Sequence, residues 1–199
     1  MSRVSKSREI RRQEMIETAY SLFQQRGYET TTVHDIVKAL GVAQGLFYYY
    51  FKSKEDVLFA ALMQMGEMLL QRIAQVIATK EMPPISRLRE AFSIIANFLT
   101  HSYDALRLPA ISAQMYALFE QQARKLLMPY LTQLIDDGRQ NGDFAVIYPE
   151  YTARFILAGF VGVCLDDAIP AAEEIMALLQ SFAERILALP GGALQPQEE

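Results

Sequence analysis

The sequence predicts an all-α fold: a small three-helix head with a helix-turn-helix, joined by a long helix to a larger helical body. Three observations carry this expectation. Apolar residues recur at helical spacing along most of the 199 residues, whereas period-two alternation appears nowhere at useful length. Glycines and prolines fall where helices would stop or start. Apolar residues make up 51% of the chain, which excludes global disorder and allows a sizeable core. About nine helices are expected. The head would cover residues 1–53 and the body residues 54–189, with a disordered tail over 190–199 because PGGALQPQEE offers nothing to a core.

Each head element follows from local signals. A first helix is expected from about Ser7 to Arg26, with Ile16, Ala19, Tyr20 and Phe23 as its apolar stripe. Gly27 suits the left-handed position past its end. Thr31 or Thr32 can cap a second helix whose inward residues are Val33, Ile36, Val37 and Leu40, and Gly41 makes the next turn. The third helix is expected over Ala43 to Tyr50. Ser53 then caps a long helix, with Asp56 at the capping-box acid position. Its stripe runs from Val57 to Ile77, and Pro83-Pro84 ends it.

The body continues in helices. Ile85 to Leu99 mark one, Ile111 to Phe119 a second, and Leu126 to Ile135 a third, with Pro129 as a kink or an early-turn residue. Gly138 to Phe144 read as a stop and turn. Pro149 and Pro170 suit the first turns of the last two helices.

Charge is divided unevenly. The chain carries −4 overall, yet residues 1–54 hold nine basic and five acidic side chains, so that part carries +4 and the remainder −8. A basic head on an acidic body orients the molecule toward a polyanion.

The short third helix has the chemistry of a DNA reader. Gln44 stands in its first turn, and its amide can donate and accept, which suits a bidentate contact to adenine. Gly45 allows close backbone approach to the groove floor. Leu46 can touch a thymine methyl. Tyr48, Tyr49 and Tyr50 follow. Successive helix positions point roughly 100° apart, so they divide their tasks. Phe47 and Phe51 are expected as core plugs. Lys54 sits at a helix N-terminus, where amides already favour a phosphate. Thr31 or Thr32 is a further candidate for a phosphate.

Residues from the first helix through Leu58 resemble the DNA-binding head of the tetracycline-repressor (TetR) family of bacterial regulators. The likeness rests on Thr31-Thr32, on Ile36…Leu40-Gly41-Val42, on Gly45-Leu46-Phe47-Tyr48-Tyr49-Tyr50-Phe51 and on Lys52-Ser53-Lys54-Glu55. Ala43 and Leu46 depart from it, standing where the family often has hydroxyl residues. The resemblance implies a homodimer with its two heads in successive major grooves of a palindromic operator, the half-sites about one DNA turn apart or a little more. It implies a small-molecule effector bound in each body, and repression relieved by that effector. It directs Tyr48 toward bases, with packing in the head core as the alternative, and Tyr49 and Tyr50 toward phosphates. His34 would meet a base or simply face solvent.

Body assignments are broader. Phe92, Ile95, Leu99, Tyr103, Met115, Tyr116 and Phe119 are candidate pocket residues for an apolar or aromatic effector, with Asn97, His101, Asp104 and Gln114 as polar anchors. Phe155 to Leu165 is apolar all round, and Ala158 and Gly162, four apart, permit close helix approach. With Ile175, Leu179, Phe182 and Ile186 of the last helix, they form the dimer face that the resemblance implies.

Other classes find little support. His34 and His101 are the two histidines, and neither belongs to a metal-spaced cluster. No G-x-S-x-G elbow or phosphate-cradling glycine loop occurs. An enzyme, a cofactor and a metal are therefore not expected. The competing class is a helical dimeric interaction protein or ligand sensor without sequence-specific DNA binding. Cys164, inside an apolar run, is expected as a buried reduced thiol. The amino end lacks the apolar core of a signal peptide, and Phe155 to Leu165 is shorter than the about 20 residues a span needs. A cytoplasmic protein with no membrane partner is the expectation.

Overall fold

The computed structural model describes residues 7–106, 113–164 and 172–195, the side chains at 101–106, 113–116, 164 and 172 excepted. Those residues form eight helices: α1 (Arg8–Arg26), α2 (Val33–Leu40), α3 (Gln44–Tyr50), α4 (Lys54–Ile77), α5 (Pro84–Leu106), α6 (Ala113–Asn141), α7 (Pro149–Cys164) and α8 (Ala172–Leu187). No strand occurs among the described residues. The chain divides into two compact units, with the division in α4 between Met65 and Gly66.

In the smaller unit, α1 packs on α2 and α2 on α3. The Ser7 hydroxyl caps α1 by accepting the Ile10 N–H, and Gly27, at φ 89°, ends it. Thr32 caps α2 through a full capping box: its hydroxyl accepts the Asp35 N–H, and the Asp35 carboxylate accepts the Thr32 N–H. Gly41 closes α2 at φ 64°. There Gly41 N–H bonds the Lys38 carbonyl and Val42 N–H the Val37 carbonyl, the paired bonds of a Schellman turn. A residue with a Cβ would be strained at that φ. Met15, Ile16, Ala19, Ile36, Val37, Phe47, Phe51, Val57, Leu58 and Ala61 are the buried apolar side chains that fix α3 in place.

The larger unit has its own core. Leu70, Ile73 and Ile77 of α4 join Leu88 and Phe92 of α5, Leu134 and Ile135 of α6, Ile156 of α7, and Ile175 and Leu179 of α8. By length and composition α4 passes for a membrane span, but Val57, Leu58, Ala61 and Leu62 are buried in the smaller unit and Leu70, Ile73, Ala74 and Ile77 in the larger. Arg87 is 3% exposed. Its guanidinium donates to the Ile77 carbonyl at the end of α4 and to Asp137 of α6 at 3.0 Å. Burial opposes ionisation of Asp137, but bonds from Gln133 and Arg87 and the Arg87 charge hold its carboxyl below the usual range.

Two expectations need correction. The two helices expected between Ile111 and Ile135 are one helix, α6, which runs 29 residues through Pro129. Proline removes one intrahelical N–H, but flanking turns that are packed on α7 carry the helix past it. Eight helices therefore replace nine among the described residues. The stop expected in the run Gly138 to Phe144 is there: α6 ends at Asn141, and Gly142, at φ 81°, follows it. Gly138 is there because the Phe144 ring lies against it, where a Cβ would meet ring carbons at 2.2 to 2.8 Å. The start of the presumed tail is docked rather than free. Leu194 is fully buried, its N–H and that of Gly192 bond the Glu184 carboxylate at 2.9 and 3.0 Å, and Arg89 donates to the Ala193 carbonyl.

Candidate nucleic-acid interface

The α3 helix is anchored by one face and open on another. Phe47 is fully buried, and Phe51, the C-cap, is 2% exposed, so both plug the core as their spacing suggests. Gln44 and Gly45 are exposed in the first turn. Tyr48 and Tyr49, one turn further on, are 54% and 59% exposed. Gln44 and Tyr48 share one side of the helix, and Gly45 and Tyr49 the next. Nothing stands within 4 Å of where a Gly45 Cβ would be, so the open space continues across the helix surface. Tyr48 thus does not pack in the head core. Its ring meets Phe47 edge-on, and Tyr49 meets the half-buried Tyr50 edge-on at 4.9 Å, which holds the phenols in fixed directions. Leu46 is half-buried, and Ala43 precedes α3 without a side-chain cap.

The two threonines separate cleanly. Thr32 is exposed at the α2 N-terminus with its hydroxyl engaged by Asp35, whose carboxyl is held below its usual range by the Thr32 hydroxyl and then the Thr32 N–H. Thr31 is 1% exposed, and its hydroxyl donates to the Gly27 carbonyl at 2.8 Å. Thr31 therefore cannot reach a phosphate and serves to pin the loop before α2. His34 is exposed in the first turn of α2.

Lys54 is engaged inside the head. Its ammonium donates to the Tyr28 carbonyl at 2.7 Å, approaches that of Glu29 at 3.5 Å, and lies 4.1 Å from the centre of the Tyr28 ring. The Tyr28 hydroxyl in turn donates to Glu55 at 3.0 Å. Burial, and then that bond, push the Tyr28 phenol up, while the Ser53 hydroxyl, the Glu55 N–H and Tyr28 hold the Glu55 carboxyl down. This latch joins the first turn of α4 to the α1–α2 loop. Its one sequence signal was an aromatic residue in a loop, which is too common to single out.

On the other flank, the Arg8 guanidinium lies 5.3 Å from the Tyr49 ring centre and that of Arg12 5.1 Å from Phe51. Both arginines are exposed.

In the larger unit, Phe92 and Leu99 are buried, while Ile95 and Phe119 are half-buried against the same core. The side chains of Tyr103, Met115 and Tyr116, and those of His101, Asp104, Gln114 and Cys164, lie outside the described residues. A groove of about 720 Å³ runs between α6 and α7, lined by Glu120, Arg124, Met128, Glu150, Arg154 and Leu157 among others, and by none of the expected pocket residues. Of the expected dimer face, Ile175 and Leu179 are 0% and 1% exposed and belong to the core of their own chain, so they cannot meet a partner. Ala158, Gly162 and Phe182 are exposed, and Ile186 is half-buried. Tyr151 and Phe155, each 68% exposed, and Leu178 extend that surface. Among the described residues, no group of three or more histidines, cysteines or acids is placed to hold a metal.

Residues 15–61 match the model of the tetR family of bacterial regulatory proteins. The transcriptional repressor KstR2 of Mycolicibacterium smegmatis is 36% identical over 155 residues, which cover 73% of this chain and 74% of that protein. The HTH-type regulator YuxN of Bacillus subtilis is 31% identical over 123 residues, 61% of this chain but 42% of YuxN. A TetR/AcrR-family regulator from Thermobifida fusca superposes with a TM-score of 0.66 at 24% identity, over 96% of this chain and all of that one. An open α3 surface, a glycine-turned helix pair and this kinship agree: the chain belongs to the TetR family of DNA-binding transcriptional regulators.

Proposed function

We propose that this protein represses transcription in the cytoplasm by binding a palindromic operator as a homodimer, and that an apolar or aromatic small molecule bound in the body releases it. The observation that carries the DNA-reading half is the open face of α3: Gln44, Gly45, Tyr48 and Tyr49 are exposed on a helix whose opposite side is locked by Phe47. Gln44 would read a base edge, Tyr48 a base or thymine methyl, with Leu46 beside them. Thr32, Tyr49 and Tyr50 would set register on the backbone, and His34 would meet a base.

Dimerisation is supported by the apolar surface on α7 and α8. Tyr151, Phe155, Ala158 and Gly162 recur at helical spacing, and Leu178 and Phe182 lie one turn apart. Small residues between aromatic ones let two copies approach closely. Effector control is supported by α4, whose residues belong to both units. An effector that favours one position of α4 over another would shift the population away from the DNA-competent spacing.

The effector half is tested by presenting fractionated metabolite extracts to the full chain on a duplex it has selected from a random pool. One or more apolar fractions are expected to release the duplex. A complex that no fraction dissociates, at concentrations that saturate other sites, would contradict release by a small molecule.

A further inference from the structure

The head must neutralise phosphates, and each basic side chain can do so only with donors it has not already committed. Lys54 has committed them: two carbonyl oxygens and a ring face surround its ammonium. Withdrawing it to a phosphate would leave the Tyr28 carbonyl with the Thr31 N–H alone and would give up the contact with the Tyr28 ring. Arg11 is paired with Glu14 at 3.0 Å. Arg8 and Arg12 differ. They stand one turn apart on the same face of α1, exposed, and neither makes an ion pair or side-chain hydrogen bond among the described residues. Each is held instead by a ring: Arg8 by Tyr49 of α3 and Arg12 by Phe51, which ends α3. A cation–π contact uses the charge and leaves the guanidinium N–H groups unspent. Two oriented cations with free donors therefore stand on the flank of the exposed α3 surface.

We infer that Arg8 and Arg12 are phosphate-contacting residues of the DNA interface, oriented by the Tyr49 and Phe51 rings, and that Lys54 acts as a positioning residue which fixes α4 to the α1–α2 loop. This rests on the reading of α3 as the DNA-facing helix. It assigns the electrostatic share of binding to α1, before the helix-turn-helix begins. A planar guanidinium with free N–H groups suits a phosphate oxygen pair, and the phenol of Tyr49 can add a donor beside it.

The test is the salt dependence of binding by the full chain, measured by fluorescence anisotropy on a duplex the wild type has enriched from a random pool. Each released phosphate counterion contributes about 0.9 to the slope of log affinity against log salt. Arg8→Gln and Arg12→Gln are each expected to lower the slope by about 1.8, about 0.9 for each head of the dimer, and to weaken binding roughly 10- to 100-fold near 0.15 M salt, with an unchanged melting temperature. Arg8→Lys should keep the slope. Lys54→Gln should lower the melting temperature and leave the slope at the wild-type value. Wild-type slopes in both arginine variants would overturn the assignment, as would a slope lost in Lys54→Gln alone. A wild-type chain whose binding ignores salt would overturn the DNA-facing reading of α3 along with it, which separates the two failures.

Discussion

The Phe144 ring lies so close to Gly138 that a Cβ on the glycine would meet its Cδ2, Cε2 and Cγ at 2.2, 2.3 and 2.8 Å. Phe144 is itself buried, at 3% exposed. Gly138→Ala is therefore expected to cost about 2–3 kcal/mol by overpacking, lowering the melting temperature by roughly 5–10 °C. Gly45 is the opposite case, with nothing within 4 Å. Gly45→Ala should leave the melting temperature unchanged or slightly higher, since alanine favours helix, yet weaken duplex binding. Calorimetry and anisotropy on both variants check the contrast.

Ala188 is the one described non-glycine residue with positive φ, at 57°. It occupies the left-handed position after α8, where Ala188 N–H bonds the Arg185 carbonyl and Leu189 N–H that of Glu184. An L-residue there costs about 1–2 kcal/mol, while glycine adds a smaller unfolded-state entropy. Ala188→Gly is expected to raise the melting temperature by about 2–4 °C. A lower melting point would show that the turn is not strained.

Burial separates two residues of α8 that sequence spacing had grouped. Phe182 is 44% exposed and Leu179 1%. Phe182→Lys should leave the chain folded and shift sedimentation toward the monomer. Leu179→Ala should instead destabilise the chain itself by about 2–5 kcal/mol. A stable dimer in the Phe182→Lys variant would move the proposed interface elsewhere.

The Arg87–Asp137 pair sets a pH dependence. The Asp137 carboxyl is held below its ordinary value of 3.8 in the folded chain. Its contribution is therefore fully present above about pH 4 and is lost as pH falls through the depressed folded value. Asp137→Asn should melt lower than wild type at pH 7, because Arg87 loses its charged partner while buried. It should also lose less further stability between about pH 5 and pH 2. Glu55 and Asp35, also depressed, keep part of the acid sensitivity in both proteins. Identical acid profiles would contradict a role for Asp137.

Gln44 is exposed in the first turn of α3. Gln44→Ala is expected to relax choice at one base position, costing about 1–3 kcal/mol on the preferred duplex and little on random DNA. Equal losses on both would place Gln44 at the backbone rather than at a base.

Much of the head was legible because its signals are local. A threonine cap, a left-handed glycine at 41 and a serine before α4 each act within a few residues, and all three appear where expected. The body was less legible because its facts depend on distant partners. Pro129 resembles a break until α7 is seen to support the helix around it. Leu194 resembles tail composition until Glu184 supplies acceptors for its segment. Helical spacing places Ile175, Leu179 and Phe182 on one stripe, but only the neighbouring helices decide which of its edges is covered. In the candidate site, α3 was readable and the neighbours that orient it were not. Tyr28 with Lys54, and Arg8 with Tyr49, are tertiary pairs that no spacing rule reaches.

The central claim is that two copies of α3 read a symmetric duplex. Selection of bound sequences from a random duplex pool by the full chain, followed by sequencing, tests it most directly. The expected result is a two-fold symmetric consensus whose half-sites lie about one DNA turn apart or slightly more. A pool that stays random after repeated rounds, or that converges on a single asymmetric element, would contradict it.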